Sequence, residues 1–493
     1  MPNTAINAVT SRTGFAEAAA ARGGASAAAL DRAPFRWTQR DKHALPVTVT
    51  GDLPSWLRGG LVRTAPAIFQ QGAWQAGHWF DGLGLVYGFS IGDAVRFSQR
   101  PLDCKLGEEL RNGKVATSTF ATPMRRNLWQ RALAPVPTAT DNANVNIVPW
   151  QGAWLAMTET PHQHRIADDD LRSRGLYRYD DGLPSSLSMT AHPHFDFTRQ
   201  AMVNFGTTFG PKNEIWALRH GASGTRREVE GKLAFKRVPY VHDFGLSDRH
   251  AVLIAHPFTV NPLRMLFSNK GYIDHFRWQP EQGTTLWLLD RESGRWSDYQ
   301  TEALFCFHTV NTFEDGADVV CDFLAYDDSS VIATLATTRL DAGELPTLLP
   351  RFVRARLSPG KRHAALTTLS DVRFEFPNIA YRQQHGRPYR TAWGASIVDN
   401  GAGGVASEIV RIDLESAAVA RFADPHISYG EPIFVPRPGA SREDDGVLLT
   451  VGSDACSERS LLTVLDATSL APLARCEVAL SLPLGFHGNF KQA

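Results

Sequence analysis

Three stretches far apart in the chain share one design: Leu286–Ser297, Glu408–Phe422 and Leu461–Leu480. In each, an apolar run ends on an aspartate (Asp290, Asp413, Asp466), small and polar residues follow, and a second apolar run begins. That is a strand–turn–strand signal. A lone hairpin cannot bury its apolar face, so its recurrence calls for an architecture that stacks hairpins side by side. The outer hairpins of propeller blades meet that requirement. Identity between the three stretches is weak, so what repeats is the architecture and not the sequence.

Helical signal is sparse. The best candidate is Pro123–Leu133, with Met124, Leu128 and Leu133 on one face and Arg125, Arg126 and Arg131 beside them. The expectation is a surface helix with a core stripe; the alternative is a helix lying on a membrane surface. Pro257–Phe267 is similar in character. Nothing between residues 45 and 490 reads as a linker. A single all-β domain is therefore expected over 41–493, behind a disordered tail at 1–40. Residues 1–30 are rich in Ala and Gly and lack the apolar segment of a secretory signal, which leaves an organelle transit peptide as the alternative to a tail.

Composition narrows the function classes. Of 493 residues, 51 are basic and 51 acidic, with no long basic run, so nucleic-acid binding is not expected. Cys104, Cys306, Cys321, Cys456 and Cys476 are widely spaced and odd in number, which argues against a disulfide framework or a thiolate zinc site. A reducing, cytoplasmic setting fits. No apolar run approaches the ~18 residues that would span a bilayer.

Four of the sixteen histidines stand in distinctive strings: Ala191–Asp196, Tyr240–Gly245, Phe307–Asp315 and Gly485–Asn489. Each joins an aromatic or apolar neighbour to small or turn-forming residues, as suits a strand end opening on a central site. The histidines are His192, His242, His308 and His487. They could converge only in a closed, repeating architecture whose inner strands share an axis. In the first string His194 competes with His192, because two residues along a strand return to the same face.

These strings resemble the signature of the carotenoid cleavage oxygenases over roughly residues 45–490. Further matching strings are Leu53–Gly59, Gly77–Gly82, Asn144–Asn146, Thr158–Thr160, Phe374–Asn378, Gly430–Pro436 and Asp444–Leu449. The resemblance implies a seven-bladed β-propeller, with a cap of loops and short helices forming an apolar tunnel to an axial iron. It places the four iron ligands at His192, His242, His308 and His487. It puts three glutamates that support them at Glu159, Glu375 and Glu431, so that His192 alone lacks one. It also puts Thr158 beside an open iron position.

The residue types suit that chemistry. Imidazole is a good ligand for divalent iron, and four of them leave two positions of an octahedral ion open. A carboxylate that accepts the other ring N–H of a ligating histidine fixes its tautomer. One Fe(2+) per chain is implied, with no organic cofactor, since an electron-rich alkene supplies the electrons that reduce dioxygen; there is no Gly-x-Ser-x-Gly nucleophile elbow and no phosphate loop. The implied reaction is oxidative cleavage of a C=C bond of a carotenoid or apocarotenoid by O2, giving two carbonyl products. Phe69, Trp79, Phe120, Trp129, Phe267 and Phe307 are candidates to line a tunnel for an apolar polyene. A membrane-dissolved substrate implies peripheral membrane contact. The alternatives are a stilbene-cleaving dioxygenase of the same family and a non-catalytic propeller that binds a partner. The stilbene branch carries a Tyr and a Lys that contact the phenol, and residues 147–158 contain no lysine.

Overall fold

The three aspartate-ended stretches are antiparallel hairpins in the computed structural model, which describes residues 37, 41–342, 349–399, 405–424, 427–454 and 457–493. Asp290 closes on Arg295, Ile412 pairs with Val419, and Leu465 pairs with Pro472. The aspartates are there for the turn. Asp290 Oδ1 accepts from the amides of Glu292 and Ser293, Asp413 Oδ1 from those of Glu415 and Ser416, and Asp466 Oδ1 from that of Ser469. A short carboxylate binding its own backbone two or three residues on is the Asx-turn mechanism. Four residues after each aspartate, Gly294, Ala417 and Leu470 take φ of 71°, 57° and 59°. Only one of the three is glycine, so the carboxylate cap holds two ordinary residues in a left-handed conformation they rarely adopt.

Seven antiparallel sheets of four to six strands carry the fold among the described residues. In the first, Lys42–Pro46, Val95–Pro101, Leu83–Ile91 and Gly59–Ile68 run inward to the C-terminal strand Gly488–Gln492. The second has Asn146–Trp150 innermost, the third Ser188–Met189 and His194–Asp196, and the fourth Gly245–Leu246. The fifth has Phe305–Asp315, the sixth Glu375–Asn378, and the seventh Ile427–Tyr429 and Ile433–Pro436. These inner strands meet one another around the axis: Phe305–Asp315 lies between Gly245–Leu246 and Glu375–Asn378, and Gly488–Gln492 lies between Ile433–Pro436 and Asn146–Trp150. The sheets are the blades of a seven-bladed propeller. Closure is doubly tied, because Gly488–Gln492 completes the first blade and Thr48–Gly51 adds to the outer edge of the seventh. The expected tail, residues 1–40, lies outside the described residues apart from Trp37, as does Cys456.

Apolar residues fill the spaces between neighbouring blades. One such layer joins Leu61, Leu85 and Phe97 of the first blade to Leu449, Leu462 and Val464 of the seventh. Each fully buried side chain of this size contributes about 1.5–3 kcal/mol relative to exposure.

The cap over the axis is organised by Gly77–Asp81. The Asp81 carboxylate accepts from the amides of Phe120, Ala121 and Thr122 and from the Thr122 hydroxyl, at 2.6–2.9 Å. His78 Nε2 donates to Ile332 O at 2.8 Å, pinning a second cap segment. The expected helix over Pro123–Leu133 is shorter than its pattern implied. It spans Leu128–Leu133, because Asn127 caps it in a capping box with Gln130. Met124 is buried ahead of the helix, while Leu128, Trp129 and Leu133 are 74–86% exposed, so there is no core stripe.

Candidate metal centre

His192, His242, His308 and His487 each offer a ring nitrogen, all within 4.8 Å of one another, and all four side chains are buried. Each precedes or lies on the innermost strand of a different blade: His192 the third, His242 the fourth, His308 the fifth and His487 the first. The other three blades supply the glutamates. Glu159 follows the second strand of the second blade, Glu375 opens the inner strand of the sixth, and Glu431 sits between the two inner segments of the seventh. Every blade therefore gives one residue to the centre.

The glutamates pair with three of the histidines. Glu159 Oε1 lies 2.5 Å from His242 Nδ1, Glu375 Oε2 lies 2.6 Å from His308 Nδ1, and Glu431 Oε1 lies 2.8 Å from His487 Nδ1. A carboxylate at Nδ1 accepts the ring N–H there and leaves Nε2 as a lone pair facing inward. The Nε2 atoms of His308 and His487 are then two acceptors only 3.1 Å apart, and His192 Nε2 has no hydrogen-bond partner among the described residues. A cation held between these inward-facing nitrogens would satisfy them together, so the residues fit a divalent metal, and an all-imidazole set suits iron. Burial, reinforced by the neighbouring imidazoles, holds His192 and His487 well below the usual histidine range, in the neutral form that ligates. Burial opposes charge on His308 too, but Glu375 outweighs it and raises that imidazole. Burial pushes Glu431 up to about 7 against the opposing pull of Arg63.

Each glutamate has a further buried partner. The Tyr240 hydroxyl donates to Glu159 Oε1 at 2.7 Å, and the Tyr326 hydroxyl donates to Glu375 Oε1 at 2.6 Å. Glu431 instead has Arg63, 3.5 Å from Oε2, and the Gly488 amide, 3.0 Å from the same oxygen. Arg63 also donates to the carbonyls of Glu431 and Phe486, fixing the chain on either side of the carboxylate–histidine pair. Alternation from His242 could have pointed to Tyr240. Tyr326 and Arg63 left no local signal, since both reach the site across blades.

His194 turns away from the centre. Its Nε2 lies 3.0 Å from Asp243 Oδ1 and its Nδ1 lies 3.1 Å from the Tyr381 hydroxyl. His192 precedes the strand that contains His194, so the alternation that would align the two does not apply. Asp243 Oδ2 accepts from the amide and hydroxyl of Thr309, tying the segment of His242 to that of His308.

The centre opens on a cavity of about 730 Å³. Trp79, Phe120 and Phe307 line it as expected from the sequence, joined by Phe80, Phe376 and Phe486; Thr158 also borders it. Three candidates are placed elsewhere. Phe69 packs with Trp79, Leu335 and Phe486 behind the wall. Trp129 and Phe267 are 80% and 54% exposed on the outer face of the cap, Trp129 because its helix begins at Leu128 and Phe267 because it has φ +57°. Phe376 was not anticipated. Its φ of 53° is costly for a bulky residue, and such strain concentrates at functional sites. It sets the ring 5.8 Å from that of His308 and 5.4 Å from that of His487.

The chain matches the family described as retinal pigment epithelial membrane protein over residues 33–492. It is 27% identical to rat β,β-carotene 15,15′-dioxygenase, covering 90% of this chain and 89% of the relative. It is 28% identical to the apocarotenoid-15,15′-oxygenase of Synechocystis sp., covering 90% and 92%. A solved structure of a Synechocystis apocarotenoid oxygenase variant superposes with a TM-score of 0.83 at 25% identity, covering 95% of this chain and 99% of that one.

Proposed function

Because this chain belongs to the retinal pigment epithelial membrane protein family, which includes the carotenoid dioxygenases, and is an iron-dependent oxidoreductase of that type, we propose that it splits one double bond of a carotenoid or apocarotenoid. In the net reaction R–CH=CH–R′ and O2 give R–CHO and OHC–R′. The C=C and O–O bonds break, two C=O bonds form, and no external reductant is consumed.

In this reading His192, His242, His308 and His487 hold one ferrous ion. When bound, that ion supplies the redox chemistry that lets dioxygen react with an alkene. Glu159, Glu375 and Glu431 orient three ligand rings through their Nδ1 atoms, so that each Nε2 would be available to the ion. Thr158, buried at the cavity wall, narrows the space beside it. Trp79, Phe120 and Phe307 hold the polyene by apolar contact and exclude water. The observation that carries the reading is that four converging imidazoles open on a largely apolar cavity of this size.

Peripheral membrane contact is part of the proposal. Leu128, Trp129, Leu133 and Val136 lie beside Leu263 and Phe267: the Phe267 amide donates to Pro135 O, and Arg131 donates to Phe267 O. The patch adjoins the cavity at Val136, Met265 and Lys270. No described helix is long and apolar enough to cross a membrane. An apolar patch flanked by Arg125, Arg131 and Arg264 suits the headgroup layer and a cytoplasmic enzyme that draws its substrate from it.

One observation favours a second reading, hydroxystilbene cleavage: Lys270 and Tyr272 both border the cavity. The deciding experiment is anaerobic iron loading followed by incubation in air with carotenoids, apocarotenoids and hydroxystilbenes. Aldehydes from the polyenes alone support the proposal; aldehydes from the stilbenes alone overturn it.

A further inference from the structure

The cavity does not end at the metal centre. It also reaches residues of the sixth and seventh blades, where its wall forms a recess. Ala395, which pairs in register with Glu375, is followed by Ser396, and Ser407 and Ser428 complete the recess from neighbouring strands. All three serines are buried. Ser396 Oγ donates to Arg373 O at 2.8 Å and Ser407 Oγ donates to Tyr429 O at 2.6 Å, so each keeps lone pairs that can accept. The Ser428 hydroxyl has no hydrogen-bond partner among the described residues, and it can both donate and accept.

Burying hydroxyls in the wall of an apolar tunnel is unfavourable unless something satisfies them. Alanine would keep the same space without that cost. Other hydroxyls line the cavity elsewhere, among them Thr119, Thr140 and Ser188; these three stand together on adjacent strands of the sixth and seventh blades, one of them unpartnered, and so can read a polar group.

We propose that this recess, built on Ser396, Ser407 and Ser428, is a specificity site that selects polyenes carrying an oxygenated terminus over those ending in an unsubstituted hydrocarbon ring. The proposal rests on the reading of the chain as a polyene-cleaving oxygenase. A terminal hydroxyl donates to a serine oxygen and accepts from Ser428. An unsubstituted ring leaves the Ser428 hydroxyl buried and unpaired, and that penalty, more than the gained bond, creates the discrimination.

The test uses the full iron-loaded chain and two polyene aldehydes of equal length, one ending in a hydroxylated cyclohexenyl ring and the other in the unsubstituted ring. The kcat/KM of the hydroxylated substrate should exceed that of the other by about tenfold. In Ser428→Ala the ratio should fall towards one, and Ser428→Thr, which keeps the hydroxyl, should restore part of it. Equal kcat/KM for the two substrates in the unaltered chain overturns the recess as a specificity site while leaving double-bond cleavage standing. A ratio that persists in both Ser428→Ala and Ser407→Ala also overturns it. Failure to cleave either aldehyde overturns the polyene reading and the recess with it.

Discussion

Glu159 of the second blade and His242 of the fourth meet at 2.5 Å across the third blade, whose own His192 has no carboxylate within hydrogen-bonding distance among the described residues. The centre is therefore asymmetric: three imidazoles are held from behind and one is held by its backbone, through the His192 amide to Thr190 Oγ1.

That asymmetry predicts unequal roles for carboxylates and ligands. Glu375→Gln and Glu431→Gln should each weaken iron binding about ten- to hundredfold without abolishing it. His308→Ala, which removes a donor atom, should abolish stoichiometric binding. Competition with a chelator under reducing conditions measures both. Glutamine variants that bind iron as the unaltered chain does would contradict the account.

The tyrosines behind the glutamates should matter less for metal than for the fold. Tyr326→Phe deletes a hydrogen bond to a buried carboxylate, and bonds to charged groups contribute about 1.5–3 kcal/mol net. The urea midpoint of the metal-free chain should fall accordingly, while iron affinity falls less than in Glu375→Gln. A large loss of affinity with no loss of stability would reverse the assignment.

Acid sensitivity has an identifiable source outside the ligand set. Burial, with a contribution from His242, holds His256 down at about 3, and its ring packs on Phe305. In the unfolded chain a histidine titrates near 6.5, about the reference value. Between those values the unfolded state binds the extra proton. Stability is thus fully present above about pH 6.5 and is lost as pH falls towards about 3, by several kcal/mol at about 1.4 kcal/mol per unit. His256→Phe removes the titrating group, so the urea midpoint should depend less steeply on pH across that window. An unchanged slope would count against the assignment.

The cap patch predicts a separation of binding from catalysis. Trp129→Ser with Leu133→Ser should reduce co-sedimentation with phospholipid vesicles and raise the apparent KM for polyene supplied in vesicles. The apparent KM for polyene in detergent micelles should hold. Equal effects in both media would place these residues in the tunnel and not at the membrane.

What could be read from the sequence followed the range of the signal. The hairpins at Asp290, Asp413 and Asp466 were legible because the turn chemistry is local. The four histidines were legible because each marks the start or body of an inner strand, which local composition reveals. The helix at Pro123–Leu133 was misread because Asn127, a better cap than anything before it, starts the helix late and turns Leu128 and Leu133 outward. Phe69, Trp129 and Phe267 were misplaced because an aromatic residue in a cap reads the same whether it faces a cavity, a core or solvent. Arg63 and Tyr326 went unseen because each acts on a carboxylate from another blade, hundreds of residues away for Arg63 and dozens for Tyr326. Phe376 went unseen because its importance lies in a backbone angle.

The central claim is that four imidazoles from four blades hold one iron. The most direct measurement is the metal content of the purified chain after anaerobic loading with ferrous ion and removal of excess. The account predicts one iron per chain, lost in His308→Ala. No stoichiometric iron in the unaltered chain, or full retention in that variant, would contradict it.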